Sequence, residues 1–177
     1  ETKTRAEIMI HEAVADGLEA VIVRPATVFG TQFGKSGMIV DRLLAGSLRV
    51  LPAPSRKISP VWSDDLADAL ISAATVEGKG QIYTVAGPVL QTTEFIRLIC
   101  DHGSLEPPIV SVPTWAVIWS IRIASWLRPI TRWKPPISVE TVRNGSVHDG
   151  KEAASDLGFT YTPISQIFPD HIKHFDA

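Results

Sequence analysis

The sequence predicts an α/β fold built around a parallel sheet, and three stretches carry that expectation. Ala20–Val23 is a short apolar run rich in β-branched residues, the composition of a strand buried on both faces. A helical pattern feeds into it through Asp16-Gly17, which makes half of a strand–helix–strand unit. A second strand-like run, Gln81–Val85, ends at Gly87-Pro88, with helical patterns in between. In open sheets of this kind ligands bind beyond the carboxyl ends of the strands, so the loop after Arg24-Pro25 is where function is expected.

Composition narrows the class. A chain of 177 residues can bury a core of its own, and 45% hydrophobic with 20% charged residues is ordinary for a soluble globular protein. The net charge is −2 and no Lys/Arg run forms a basic stripe, so nucleic acid is not an expected partner. One cysteine, Cys100, excludes an internal disulfide framework and fits a reducing, cytoplasmic setting. No signal peptide is visible, and no uncharged apolar run reaches the roughly 18 residues that a membrane span needs. The chain begins inside a helical pattern without an initiating Met.

The elements follow in order. Thr2–Ala15 reads as a helix with Ala6, Met9, Ile10, Ala13 and Val14 on one face. Gly30-Thr31-Gln32-Phe33-Gly34-Lys35-Ser36 looks like a phosphate-binding P-loop but is one residue too short. It reads instead as a loop in which Ser36 caps a helix over about 37–45. A Pro-rich connection, Leu51–Pro60, carries Arg56 and Lys57. Ser63-Asp64-Asp65 suits the start of a helix with Leu66, Leu70, Ala73 and Ala74 inward; a catalytic carboxylate pair is the alternative. Thr92 is a candidate cap for a helix with Phe95, Leu98 and Ile99 inward, closed by Gly103. Asp149-x-x-Glu152 is a capping-box-like start for a helix ending at Leu157-Gly158, and Ser165 can cap the last helix. His171 and His174 lie one turn apart without a third ligand, so no metal site is expected.

The segment 109–136 stands apart. Between Glu106 and Glu140 there is no acidic residue, whereas Arg122, Arg128, Arg132 and Lys134 occur with four of the five tryptophans. The helix expected over Thr114–Leu127 has no clean polar face, the pattern of a helix buried on most sides. Three roles present themselves, ranked in this order: a wall of an apolar substrate pocket that includes Trp115, a subunit interface, and a membrane-surface helix.

Three runs of residues resemble a known family. They are Thr2-Lys3-x-x-Ala6-Glu7, then Val21-Ile22-Val23-Arg24-Pro25-Ala26-Thr27-Val28-Phe29-Gly30, then Val61-Trp62-Ser63-Asp64-Asp65-Leu66-Ala67-Asp68-Ala69. In this order they resemble the extended short-chain dehydrogenase/reductases, the NAD-dependent epimerase/dehydratase superfamily. Thr92-Thr93-Glu94-Phe95 and Asp156-Leu157-Gly158-Phe159 also fall where that family starts a later helix and makes its Leu-Gly-Phe turn. The resemblance covers nearly the whole chain but only the family's C-terminal half. It implies the C-terminal part of a Rossmann-type parallel sheet plus a small α/β substrate-binding lobe. Residues 1–90 would belong to the dinucleotide-binding domain, with 30–60 contributing to the substrate site, and 91–177 to the substrate lobe, their elements interleaved.

The same resemblance assigns roles. Lys3 would be the lysine of the Tyr-x-x-x-Lys pair, its tyrosine falling two positions before Glu1 and the glycine-rich pyrophosphate loop further upstream. Its ammonium would favour the phenolate and hydrogen-bond the nicotinamide ribose of NAD or NADP. Pro25, Ala26, Thr27 and Val28 would line the nicotinamide pocket, mostly through main-chain groups, and Phe29 would face substrate. Arg56 is a possible diphosphate-holding arginine. The implied activity is NAD(P)-dependent oxidoreduction or epimerisation at a hydroxyl or ketone. A bulky steroid- or flavonoid-like substrate is preferred to a nucleotide sugar because of the Trp-rich segment. A nucleotide-sugar epimerase/dehydratase and a non-catalytic substrate- or partner-binding module are the alternatives. This chain alone is expected to be inactive and to bind no cofactor. A homodimer using the Lys3 helix is expected, and the uncovered edge of the Val21 strand favours sticking or domain swapping.

Overall fold

The computed structural model describes residues 2–30, 41–43, 45–127 and 138–167. The P-loop-like residues 31–36, most of the 37–45 helix, Arg128, Arg132, Lys134, His171, His174 and the body of the last helix lie outside them.

The first helix, α1, spans Thr2–Ala15. It ends as its sequence dictates, with Gly17 at φ +101°, its N–H on the Val14 carbonyl (3.0 Å) and the Leu18 N–H on Ala13 (2.9 Å). The apolar face expected of this helix is only partly used: Ile10, Ala13 and Val14 are half-buried, while Ala6 and Met9 are exposed. The last turns of α1 lie over Gly80, with Val14 and His11 near it.

Strand β1 is Ile22–Pro25, two residues later than the apolar run suggests, and β2 is Thr27–Phe29. β1 pairs in parallel with β6 (Ile82–Val85), in the register Ile22 to Ile82 and Pro25 to Val85. The N–H of Ile22 bonds the Gln81 carbonyl just before β6 (2.8 Å) and that of Ala26 bonds Val85 O (2.9 Å), so alternation turns the ring nitrogen of Pro25 to the opposite edge. A proline can therefore close this strand without losing a ladder bond. Beyond Ala26 the chain changes partner, and β2 pairs in parallel with β5 (Pro60–Trp62). Two smaller pairs complete the sheet structure: β3 (Val50–Pro52) with β8 (Val110–Val112), parallel, and β4 (Lys57–Ile58) with β7 (Leu90–Gln91), antiparallel.

Helix α2, Ser63–Ala73, starts from Trp62, which makes no side-chain cap bond. Its buried positions are Asp65, Ala69 and Ala73, whereas Leu70 and Ala74, expected inward, are exposed. The expected helix phase is thus off by about one residue. In α3, Thr92–Gly103, the cap is Gln91 rather than Thr92, in a reciprocal capping box with Glu94. Thr92 is buried and gives both its N–H (2.8 Å) and its hydroxyl (2.9 Å) to the Arg56 carbonyl. The chain continues through α4 (Thr114–Trp126), α5 (Val139–Asn144) and α6 (Lys151–Leu157), the last closing on Gly158 at φ +68°.

Two buried clusters result. One gathers Phe29, Leu51 and Ile58 with Phe95, Ile96, Ile99 and Cys100 of α3; the other gathers Val61, Ala69, Tyr83 and Val85 with Ala153 and Leu157 of α6. Each draws on residues from both sides of position 90. Among the described residues no helix is long and apolar enough to cross a membrane, and no three His, Cys, Asp or Glu side chains are grouped to hold a metal.

Candidate functional site

The carboxyl end of β1 is where the chain leaves β6 for β5, and strand ends are where ligands sit in open α/β sheets. Ala26, Thr27 and Val28 are half-buried there and Pro25 is exposed. Lys3 is exposed on α1, one turn before Glu7. Glu7 accepts two hydrogen bonds from the Arg24 guanidinium, at 2.9 and 2.6 Å. This fork ties the Lys3-bearing helix to the residue just before Pro25. Sequence reasoning missed the pair, because nothing in the spacing of Glu7 and Arg24 announces it.

The hydrogen bond from Arg24 holds the Glu7 carboxyl below its ordinary value of 4.5, and the same bond raises the Arg24 guanidinium. A lowered carboxylate stabilises the fold above its unfolded value, and that contribution is lost as pH falls through the lowered folded value. The melting-temperature difference between this chain and Glu7→Gln is accordingly expected at pH 7 and should shrink progressively as pH falls below 4.5. A difference that stays constant across the acid titration would show that the Glu7 charge does not hold α1.

Phe29, expected to face substrate, packs instead in the core at 3% exposure, its ring 5.4 Å from Trp62 and 5.2 Å from Phe95. Strand alternation in β2 sends it inward. Arg56 lies on the β3–β4 connection and is half-buried; burial pushes its guanidinium down from the ordinary value. Its side chain has no carboxylate partner among the described residues. Its loop is held by Thr92 and by a 3.1 Å hydrogen bond between Ser55 and Thr114. That bond brings the backbone around Arg56 beside the start of α4, where Trp115 is 67% exposed. Two groups of candidates emerge, Lys3 with Pro25–Val28 and Arg56 with Trp115, linked through Phe29, Phe95 and Thr92.

A cavity of about 760 Å³ lies at the carboxyl end of β6, bounded by Ala86–Val89, Val147–Lys151 and Tyr161–Ile164, mostly with apolar groups. None of the sequence-predicted site residues lines it. The Tyr161 hydroxyl in its wall is committed, donating to Gly150 O (3.0 Å) and accepting from Ala86 N (3.1 Å), and burial pushes it above its ordinary value.

Comparison with solved structures places this architecture. The protein gox2253 superposes with a TM-score of 0.79 at 20% identity, over 97% of this chain and 54% of that one. A nucleoside-diphosphate-sugar epimerase from Pseudomonas aeruginosa superposes at 0.73 and 19% identity, over 98% and 53%. The chain carries the fold of these two proteins. A UDP-glucuronic acid 4-epimerase from Bacillus cereus, solved with UDP-4-deoxy-4-fluoro-glucuronic acid and NAD, gives 0.70 at 12% identity over 99% and 51%. The chain spans about half the length of these structures.

Among curated proteins, an uncharacterized protein (y4nG) of Sinorhizobium fredii is 33% identical over 132 residues, 71% of this chain and 32% of that protein. The mitochondrial NADH dehydrogenase (ubiquinone) 1 alpha subcomplex subunit 9 of Arabidopsis thaliana is 33% identical over 116 residues, 62% of this chain and 28% of that protein. No protein-family model matches the chain.

Proposed function

We propose that the chain is the substrate-side half of an NAD-dependent enzyme that interconverts a hydroxyl and a ketone on a nucleotide-activated sugar. Arg56 carries this reading. A half-buried guanidinium without a carboxylate among the described residues is costly to hold unless an anion meets it, and its planar fork suits a diphosphate. Nucleotide sugars bound by structural relatives are such anions.

The half-buried Ala26–Val28 stretch fits the flat nicotinamide end of the cofactor, being neither sealed in the core nor loose on the surface. When bound, NAD supplies the hydride acceptor. The 177 residues contain no Gly-x-Gly-x-x-Gly, so this chain's share of the site is the nicotinamide end alone. Lys3, held by the Glu7–Arg24 tie, would favour the phenolate of a tyrosine two positions before Glu1 and so ease proton transfer at the substrate oxygen. Phe29 enters as core support for Val28, and Trp115 belongs with the exposed face of α4.

A second reading, a bulky apolar ketone or alcohol, is favoured by the largely apolar cavity at the end of β6. Assaying the parent polypeptide with NAD(H) on a UDP-sugar and on a bulky apolar ketone separates the two. Turnover of the UDP-sugar is expected, with Arg56→Ala raising its KM about 30-fold or more, the loss typical of a truncated, desolvated charge pair. Reduction of the ketone alone, indifferent to Arg56→Ala, would sink the sugar reading.

A further inference from the structure

The helix expected to be buried on most sides is the most openly apolar element of the molecule. No residue of α4 is buried, and Trp115, Trp119, Ile123 and Trp126 are 67, 58, 54 and 79% exposed. At 3.6 residues per turn these four, with Arg122, fall within an arc of about 100°. The opposite arc, with Val117, Ile121 and Ala124, is half-buried, and α4 packs against α5. The helix is therefore apolar on both faces but differently so, aliphatic towards the protein and indole-rich towards the outside. The Arg122 guanidinium carbon lies 5.8 Å from the Trp119 ring centroid, so cation and indole share one surface. Ile109 (80% exposed) and Val110 (50%), just before α4, add to the exposed apolar surface.

We propose that this face binds an anionic lipid surface, with α4 lying in the plane of the interface. Charge selects the occupant. From Pro107 to Val139 the sequence has no acidic residue and four basic ones, Arg122, Arg128, Arg132 and Lys134. A second copy meeting this face would add cations to cations, and the nearest carboxylates in sequence, Glu106 and Glu140, lie outside the run that carries the indoles. Lipid headgroups supply negative charge without ordering a partner, and indoles prefer the boundary between headgroup and acyl chain. The 13 residues of α4 span about 20 Å, too short for a hydrocarbon core of about 30 Å, so the helix lies on the bilayer and does not cross it. Arg122 keeps its head among phosphates while its stem and Trp119 sit deeper.

Flotation of the 177-residue chain with vesicles of phosphatidylcholine alone, or of phosphatidylcholine and phosphatidylglycerol at about 3:1, tests this. Binding is expected to the anionic vesicles, with release of the unmodified chain in about 0.5 M NaCl. Arg122→Ala should weaken it about fivefold, the share of one surface cation. The double substitution Trp119→Ser with Trp126→Ser should abolish it with helix content intact by circular dichroism. Ile8→Ser with Met9→Ser, which changes an exposed apolar pair on α1, should leave it unchanged. Three outcomes overturn the proposal: no flotation, equal flotation with both vesicle types, or loss caused by the α1 pair instead. A dimer in size-exclusion chromatography that the α4 double substitution turns into monomer, with no vesicle binding, would assign the face to a second copy and overturn it as well.

Discussion

Gly150→Ala is expected to lower the melting temperature by roughly 6–12 °C, about 3 kcal/mol at 2–4 °C per kcal/mol. Gly150 is buried at the start of α6, where its carbonyl accepts the first helical bond from Ala154 N (3.1 Å) and the Tyr161 hydroxyl (3.0 Å). Its α-carbon passes so close to β6 that a β-carbon would overlap the Ala86 carbonyl and the Tyr161 hydroxyl. Neither can step aside cheaply. Ala86 is main chain at a strand end, and Tyr161 is held by Ala86 N and Gly150 O. The only relief is to lift α6 away from β6 and open the cluster formed by Val85, Ala153 and Leu157. A scanning calorimetry trace within about 2 °C of the unmodified chain would refute the close approach.

Asp65→Ala is expected to cost about 2–3 kcal/mol in urea unfolding. Asp65 is 5% exposed, and its two oxygens take the Thr162 N–H (3.0 Å) and hydroxyl (2.6 Å), joining α2 to the segment that follows α6. Removing the carboxylate strands a donor N–H and a hydroxyl in a part-buried site and deletes a negative charge from the first turn of α2. Asp64, one residue earlier, is exposed, and its main partner is the adjacent Ser63 hydroxyl (3.2 Å). Asp64→Ala should therefore stay within about 0.5 kcal/mol. Similar losses for both variants would show that charge at the helix start, and not the long-range tie to Thr162, is what matters.

Helix C-termini closed by glycine were the most legible part of this sequence, whereas the caps were not: Gln91 and not Thr92 caps α3, and Gly150 precedes α6 without the Asp149–Glu152 capping box. Gly17 and Gly158 stop their helices at positive φ where the residue type alone points to it. Strand limits were less legible. The apolar run 20–23 suggested a strand ending before Pro25, but which edge a proline offers depends on a pairing that local sequence does not contain. The two aspartates at α2 read alike in sequence and differ completely in space, since the partner of Asp65 lies in a distant segment. For α4 the periodicity could not separate a buried helix from one apolar on two faces, and only the packing against α5 shows which side faces out. At the candidate site, the strand end and Lys3 were reachable by resemblance, whereas the Glu7–Arg24 fork that relates them is a contact between elements and leaves no trace in spacing.

The parallel pairings also set a timetable. Ile22 must wait for Ile82, and Val50 for Val110, so the first strand leaves the ribosome long before its partner exists. At about 5–20 residues per second that interval lasts several seconds, during which the edge of β1 that β6 will cover is unpaired. Helix α1, closed by its own glycine, can form at once. The nascent chain therefore has a window of exposure at that edge, opening when β1 emerges and closing once β6 is made.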